Sequence, residues 1–268
     1  TASGNVISGI TKAGGSFNGY YSAGSPSGGT ETITNNNFSN VTITGGSGTV
    51  NLIYCSSSLT HDIVLSNNIF NNISYSGSAT IYVINATGVS NNQINNNTIS
   101  NITTGGSLYG ISFSGLDAFV YNNNIFGLTS TTTGSNVVIG ISTASINNNT
   151  TNLNIYNNFI SDIKAPGSTS FSGTSGINAI SGTNVNIFYN TVFLKFTSTN
   201  AANKSAALSL GDTSPDLVDI RDNIFVNLTD VTNGQLAVAV RKSGTWLLNL
   251  SSNCNNNLYY AGTPSSKH

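Results

Sequence analysis

The sequence predicts an all-β solenoid of about nine coils, each built from short strands and closed by an asparagine corner. Three observations lead there. First, the motif clearest in Ile94-Asn95-Asn96-Asn97-Thr98-Ile99-Ser100-Asn101-Ile102 returns along the whole chain. The last Asn of its Asn pair recurs at Asn5, Asn36, Asn68, Asn97, Asn123, Asn158, Asn190, Asn223 and Asn256, in steps of 26 to 35 residues. A period near 30 residues is the mark of a repeat architecture. Second, charged residues are only 6% of the chain, against roughly a quarter in ordinary soluble proteins. Asn, Ser, Thr and Gly dominate instead, and their side chains bond to nearby backbone and favour turns over helix. Third, apolar residues stand at fixed offsets from each anchor Asn.

Two residues after the anchor come Ile7, Phe38, Phe70, Ile99, Ile125, Ile160, Val192, Phe225 and Leu258, all apolar. Three before it come Ala2, Ile33, Leu65, Ile94, Val120, Ile155, Ile187, Ile220 and Asn253. Five after it come Ile10, Val41, Ile73, Ile102, Leu128, Ile163, Lys195, Leu228 and Ala261. Lys195 breaks that column, and its apolar neighbours Phe193, Leu194 and Phe196 indicate a local shift of register. Columns of this kind mean that equivalent side chains stack in successive layers. A further short apolar run follows each motif after a Gly/Ser/Thr loop, as in Ile81-Tyr82-Val83-Ile84 and Val137-Val138-Ile139-Gly140-Ile141. These runs suit strands and are too short for helices. Three short strands per repeat, wound one way, pair each strand with its copy about 4.8 Å away and give a rod roughly 40 Å long.

The anchor Asn is expected to take the left-handed conformation at the corner, which Asn tolerates better than other non-glycine residues. Stacked amides would also bond from layer to layer. Residues 11–30, with Gly14-Gly15, Gly24 and Pro26-Ser27-Gly28-Gly29, read as a long flexible loop leaving the first coil. No domain boundary is visible, so 1–268 reads as a single β-helix domain. Neither end shows a capping helix, which suggests a segment of a longer protein, or ends covered by other copies or adjoining domains.

The repeated pattern resembles the right-handed parallel β-helix of the pectate-lyase-like superfamily, whose members carry asparagine ladders at such a corner. The wording of Ser66-Asn67-Asn68-Ile69-Phe70-Asn71-Asn72-Ile73 is also similar to β-helical regions of large secreted or surface proteins of Bacteroidetes-type bacteria. The resemblance covers essentially the whole chain. It implies a fold more than an activity, because such solenoids carry lyases, hydrolases, tailspikes and adhesins. The family's lyases hold Ca²⁺ with clustered acids beside an Arg or Lys base, and its hydrolases use grouped Asp residues.

The chain offers little of that chemistry. Its nine acids are Glu31, Asp62, Asp117, Asp162, Asp212, Asp216, Asp219, Asp222 and Asp230. The Asn-Thr-Asp, Asp-Asp, Gly-His-Gly and Arg-Ile-Lys motifs of the polygalacturonases are missing. The one dense group runs from Asp212 to Asp222, where Asp216, Asp219 and Arg221 are the candidate catalytic or Ca²⁺-binding residues. Strand alternation sends Asp219 and Arg221 outward on one face, and an exposed ion pair beside a capped turn at Asp222 explains the group more simply than a site does. His61-Asp62 is the only internal His beside an acid, but adjacent strand residues point to opposite faces. Tyr20, Tyr21 and Trp246 are candidate sugar-stacking residues, with Tyr82, Tyr109 and Tyr259-Tyr260 behind them. Arg241-Lys242 reads as a solvated turn. The column Thr11, Thr42, Ser74, Thr103 and Thr129 is interrupted by Lys164 and Phe196, which weakens an ice-binding reading.

Net charge is −1 with eight Lys and Arg scattered along the chain, so no basic face awaits nucleic acid. No apolar run approaches the ~20 residues of a membrane-spanning helix. Cys55 and Cys254 fall several layers apart, beyond disulfide reach. These readings point to a non-enzymatic extracellular or cell-surface solenoid: a stalk, an adhesin module or a filament subunit, with no resident cofactor. Two alternatives accompany it, a polysaccharide lyase or glycoside hydrolase and a glycan-binding module.

Overall fold

A computed structural model describes residues 1–24, 28–56, 61–143, 151–211, 215–231, 236–243 and 249–268. Among them there is no helix, and every strand pairing is parallel. The chain is a parallel β-solenoid with three strand families. Inbound strands lead into the asparagine corner: Ala2–Ser3, Thr30–Thr34, Asp62–Ser66, the later halves of Ile81–Asn95 and Leu108–Tyr121, Asn152–Tyr156, Asn184–Phe188, Leu217–Arg221 and Asn249–Leu250. Outbound strands leave it: Val6–Ala13, Asn37–Thr44, Ile69–Tyr75, Thr98–Thr104, Asn124–Ser130, Phe159–Lys164, Thr191–Leu194, Ile224–Asn227 and Leu258–Tyr260. Return strands close the coil: Phe17–Ala23, Val50–Ser56, the earlier halves of Ile81–Asn95 and Leu108–Tyr121, Val138–Thr143, Thr174–Ala179, Lys204–Leu210 and Leu236–Lys242. The outbound strands form one nine-stranded sheet, while inbound and return strands share a second sheet of fifteen strands.

About seven turns are complete, not nine. The repeat counts corners, but the flanking turns are partial: Ala2–Ser3 and Asn249–Leu250 are two residues each, and no return strand follows Leu258–Tyr260. The expected flexible loop over 11–30 is also largely strand, since Phe17–Ala23 pairs in register with Val50–Ser56.

At the corner, two residues divide the work that the sequence assigned to one. The left-handed residue is the one before the ladder position: Asn35, Asn67, Asn96, Asn122, Asn157, Tyr189, Asp222 and Asn256, with φ between 53° and 58°. Gly4 does the same in the first turn, with φ 70°. The ladder Asn itself turns inward and is buried; Asn68 and Asn97 are 0% and 1% exposed. Asn97 shows its wiring. Its Oδ1 accepts from the backbone N–H and Nδ2 of Asn68, both at 3.0 Å. Its Nδ2 donates to Asn123 Oδ1 at 3.0 Å and to the Leu65 carbonyl at 2.9 Å. The pattern repeats from Asn5 to Asn223. The last rung is Asn257, not Asn256: Asn257 Oδ1 accepts from the Asn223 backbone and side chain, and Asn256 is the left-handed residue before it. The final columns therefore move by one residue. Tyr259 replaces Leu258 beside Phe225, and Cys254 replaces Asn253 against the core.

A second left-handed column lies inside the outbound strands. Residues two and five after the ladder Asn both face the core, half-buried in the first turn and buried from Asn36 to Asn158, although alternation would put positions three apart on opposite faces. Gly9, Asn40, Asn72, Asn101, Gly127 and Asp162, all with positive φ, resolve the conflict. The ladder steps over them, as Ser100 pairs with Asn71 and Ile102 with Ile73. In the next two turns Leu194 and Asn227 take this place without a positive φ. The strand there stays straight, so Val192, Leu194 and Phe196 face inward while Phe193 and Lys195 face out. This is the register shift that Lys195 signalled.

The core is a stack of Ile, Leu, Val and Phe with no break along the described turns. Phe38 and Phe70 stack with centroids 5.0 Å apart. Small residues on the return strands make room for these side chains. A Cβ on Gly140 would meet Gly176 O at 2.6 Å and an Ile160 methyl at 2.8 Å.

Asn97→Ala orphans the Asn68 amide and the Leu65 carbonyl, so urea unfolding should show a loss of at least about 2 kcal/mol. Asn96→Gly should be near neutral, whereas Asn96→Val should cost about 1–2 kcal/mol for the left-handed backbone. Gly140→Ala should cost roughly 1–3 kcal/mol through overpacking. Equal losses for Asn97→Ala and Asn96→Gly would contradict the division of labour at the corner.

Candidate binding face

The inbound strands end on a column two residues before each ladder Asn, with side chains pointing outward. From the fifth to the seventh ladder Asn that column is aromatic. Tyr121, Tyr156 and Phe188 follow one another in register, and Arg221 comes next. Tyr121 and Tyr156 stack with centroids 4.9 Å apart and planes 1° from parallel. Arg221 lies over Phe188 at 4.3 Å. The neighbouring outward column reads Phe119, Asn154, Asn186 and Asp219. Asn186 donates to Asn154 at 2.9 Å, and one column further Asn184 donates to Asn152 at 3.0 Å. The short Asn154 leaves a hollow of about 400 Å³ beside the taller Phe119, Tyr156 and Phe188, with Asn157 and Tyr189 at the corner. Tyr189 takes the left-handed place that Asn fills in most turns and is 59% exposed. Parallel strands place identical offsets about 4.8 Å apart, and this spacing lets the rings stack.

The candidate catalytic group lies at the edge of this face and is only partly assembled. Asp219 and Arg221 form an ion pair at 3.1 Å, and Asp219 is largely buried. The contact runs through Oδ2 and a terminal guanidinium nitrogen, and Asp219 Oδ1 and Arg221 Nε have no hydrogen-bond partner among the described residues. Asp216 is exposed at the start of the strand and has no side-chain bond to the pair. Asp117 lies one outward column away and three strands distant, roughly 14 Å at the sheet spacing. That is too far for a pair of glycosidase carboxylates. Asp212 and Trp246 lie outside the described residues. Among the described residues no group of three His, Cys, Asp or Glu side chains is placed to hold a metal ion.

The tyrosine candidates separate. Tyr21 is 61% exposed and stacks on Tyr54 at 5.1 Å. Tyr82 and Tyr109 stack at 4.9 Å, and burial raises the pKa of both. Tyr20 instead turns inward. Its hydroxyl donates to Glu31, and burial, then this bond, raise its pKa. Glu31 also faces His61, with Nε2 3.5 Å from Oε2 and side chains 8% and 14% exposed. His61 therefore pairs with Glu31 across a layer rather than with Asp62. Cys55 is fully buried close by, and burial first, with the Glu31 charge second, holds its thiol well above the usual range. This buried cluster escaped the sequence reading, although a signal exists. Glu31 stands five residues before Asn36, where later turns carry Ile63, Ala118, Leu153, Val185 and Val218 in the core, with buried Asn92 as a second polar member.

Arg241 also departs from expectation. It is 6% exposed, not a solvated turn residue. Its guanidinium bonds to the Phe171 carbonyl and, at 2.8 Å each, to Ser172 Oγ and Ser209 Oγ. It also lies 4.4 Å from the Phe171 ring. The side chain thus ties the 171–172 segment to the return sheet.

Both cysteines are free. In the folded protein a thiol reagent should leave Cys55 unmodified and label Cys254 first, with both reacting in denaturant. Labelling of Cys55 at the rate of Cys254 would contradict the buried cluster. Compared with family models, with curated proteins and with solved structures, the chain matches none of them.

Proposed function

We propose that the chain is a non-enzymatic structural and adhesive solenoid of an extracellular or cell-surface protein. Its kin on this reading are the right-handed parallel β-helices that include the pectate-lyase-like superfamily. The observation that carries the reading is the continuous asparagine ladder, whose rungs bond from Asn5 through to Asn257. The buried amides at the corner are spent on holding layers together. Such a body keeps its stability in nearest-neighbour contacts and serves as a stiff spacer or a display surface. The described acids are dispersed along it, and the one Asp–Arg pair among the described residues engages itself.

The hydrolase alternative keeps one geometric foothold. Asp62 and Asp117 share an outward column with Asn91 between them, roughly 9.6 Å apart along the sheet. That is the far limit for an inverting carboxylate pair. On a panel of neutral and acidic polysaccharides, the chain should release no product, and Ca²⁺ or a chelator should leave its melting temperature unchanged. Product formation abolished by Asp62→Asn and Asp117→Asn would replace this reading with catalysis.

A further inference from the structure

We propose that the hollow walled by Phe119, Tyr156, Phe188 and Tyr189, with Asn154 and Asn157 as its polar contacts, binds uncharged glycan chains. The inference deepens the adhesive reading and rests on it. Four features of the face support it.

The first is shape. The hollow, about 400 Å³, falls within the roughly 300–1,000 Å³ of small-ligand clefts. It exists because a short side chain, Asn154, sits where the turn before carries Phe119. The second is chemistry. Sugar rings present apolar C–H patches rimmed by hydroxyls. Aromatic rings with nearby amides match both parts: the rings cover the C–H patches, Asn157 offers an amide donor and acceptor, and Asn154 Oδ1, which already accepts from Asn186, keeps a second lone pair for a hydroxyl.

The third is charge. Arg221 and Asp219, the only ions in the two columns of this run, neutralise each other at 3.1 Å. An acidic polysaccharide or a nucleic acid would meet there only a single cation, already paired with a carboxylate. An uncharged chain loses nothing there. The fourth is Tyr189. A left-handed corner favours Asn or Gly, and a bulky residue there is uncommon. The other corners of the ladder use Asn, Asp or Gly. Mutual stacking accounts for Tyr121 and Tyr156, but among the described residues no ring stacks on Tyr189, and most of its surface meets solvent.

The repeat also sets the direction of the bound chain. The aromatic column runs from layer to layer, along the rod axis, so a linear glycan would lie lengthwise across turns. Lengthwise binding places successive sugars over different layers, and removing one ring weakens the whole contact.

The test is affinity electrophoresis and calorimetry of the chain with soluble β-glucan, galactomannan, xylan and α-glucan, with polygalacturonate as the acidic comparison. Tyr189→Asn restores the residue usual at the corner and preserves the fold, and Phe188→Leu keeps apolar bulk without a ring. At least one neutral polysaccharide should be retained. Either substitution should weaken that retention by about tenfold or more, with melting temperature unchanged for Tyr189→Asn. Binding should survive high salt, as expected for an uncharged partner. The proposal is overturned if no neutral polysaccharide is retained, if both variants bind like the parent, or if polygalacturonate binds best and salt abolishes it. Absence of binding without turnover sinks this site alone and leaves the structural solenoid standing. Turnover of a retained glycan would sink the non-enzymatic reading instead.

Discussion

Buried amide hydrogen bonding at the corner is the constraint on which the rest of the structure depends. A coil that turns sharply leaves backbone groups facing the interior, where an unmet donor or acceptor costs about 1–3 kcal/mol. Each ladder Asn meets several at once. It accepts from the rung before, donates to the rung after, and satisfies a carbonyl three residues before the earlier rung. The amide geometry fixes the offset between layers. Columns of Ile, Leu, Val and Phe then fall into register, and the outward aromatic column follows from the same register.

Much of this is legible in the sequence because a solenoid writes its third dimension into a linear period. The anchor positions, the inward columns and the return runs all follow from counting. The division of the corner between Asn96 and Asn97 does not. Both are Asn, and only backbone dihedrals distinguish the left-handed residue from the buried one. The same ambiguity displaced the last rung, where Asn255-Asn256-Asn257 offers three equivalent letters. Lys195 marked a real change, but its cause lies one residue earlier, where Leu194 lacks the left-handed bend.

The candidate sites were less legible, for a related reason. Tyr20 seemed to stand in a loop, yet its strand pairs with Val50–Ser56 and sends the hydroxyl to Glu31. The binding face is assembled from single residues about 30 positions apart. Phe119, Tyr156 and Phe188 are unremarkable one at a time; they become neighbours once Tyr121, Tyr156, Phe188 and Arg221 are seen to share one column. Asp219 and Arg221 were expected as an exposed pair on one face; they do pair, but Asp219 is buried.

The hydrogen bonds between layers run along the rod axis, and this gives the molecule an anisotropic mechanics. Tension along the stacking direction loads the rungs one layer at a time, so turns would peel off in sequence rather than yield together. A turn of 32 residues, the span between Asn36 and Asn68, releases roughly 100 Å of extended chain at about 3.3 Å per residue. Side-on forces meet a stiffer body, because bending must compress stacked side chains. A rod of this kind would act as an extensible tether under axial load and as a rigid spacer under every other load.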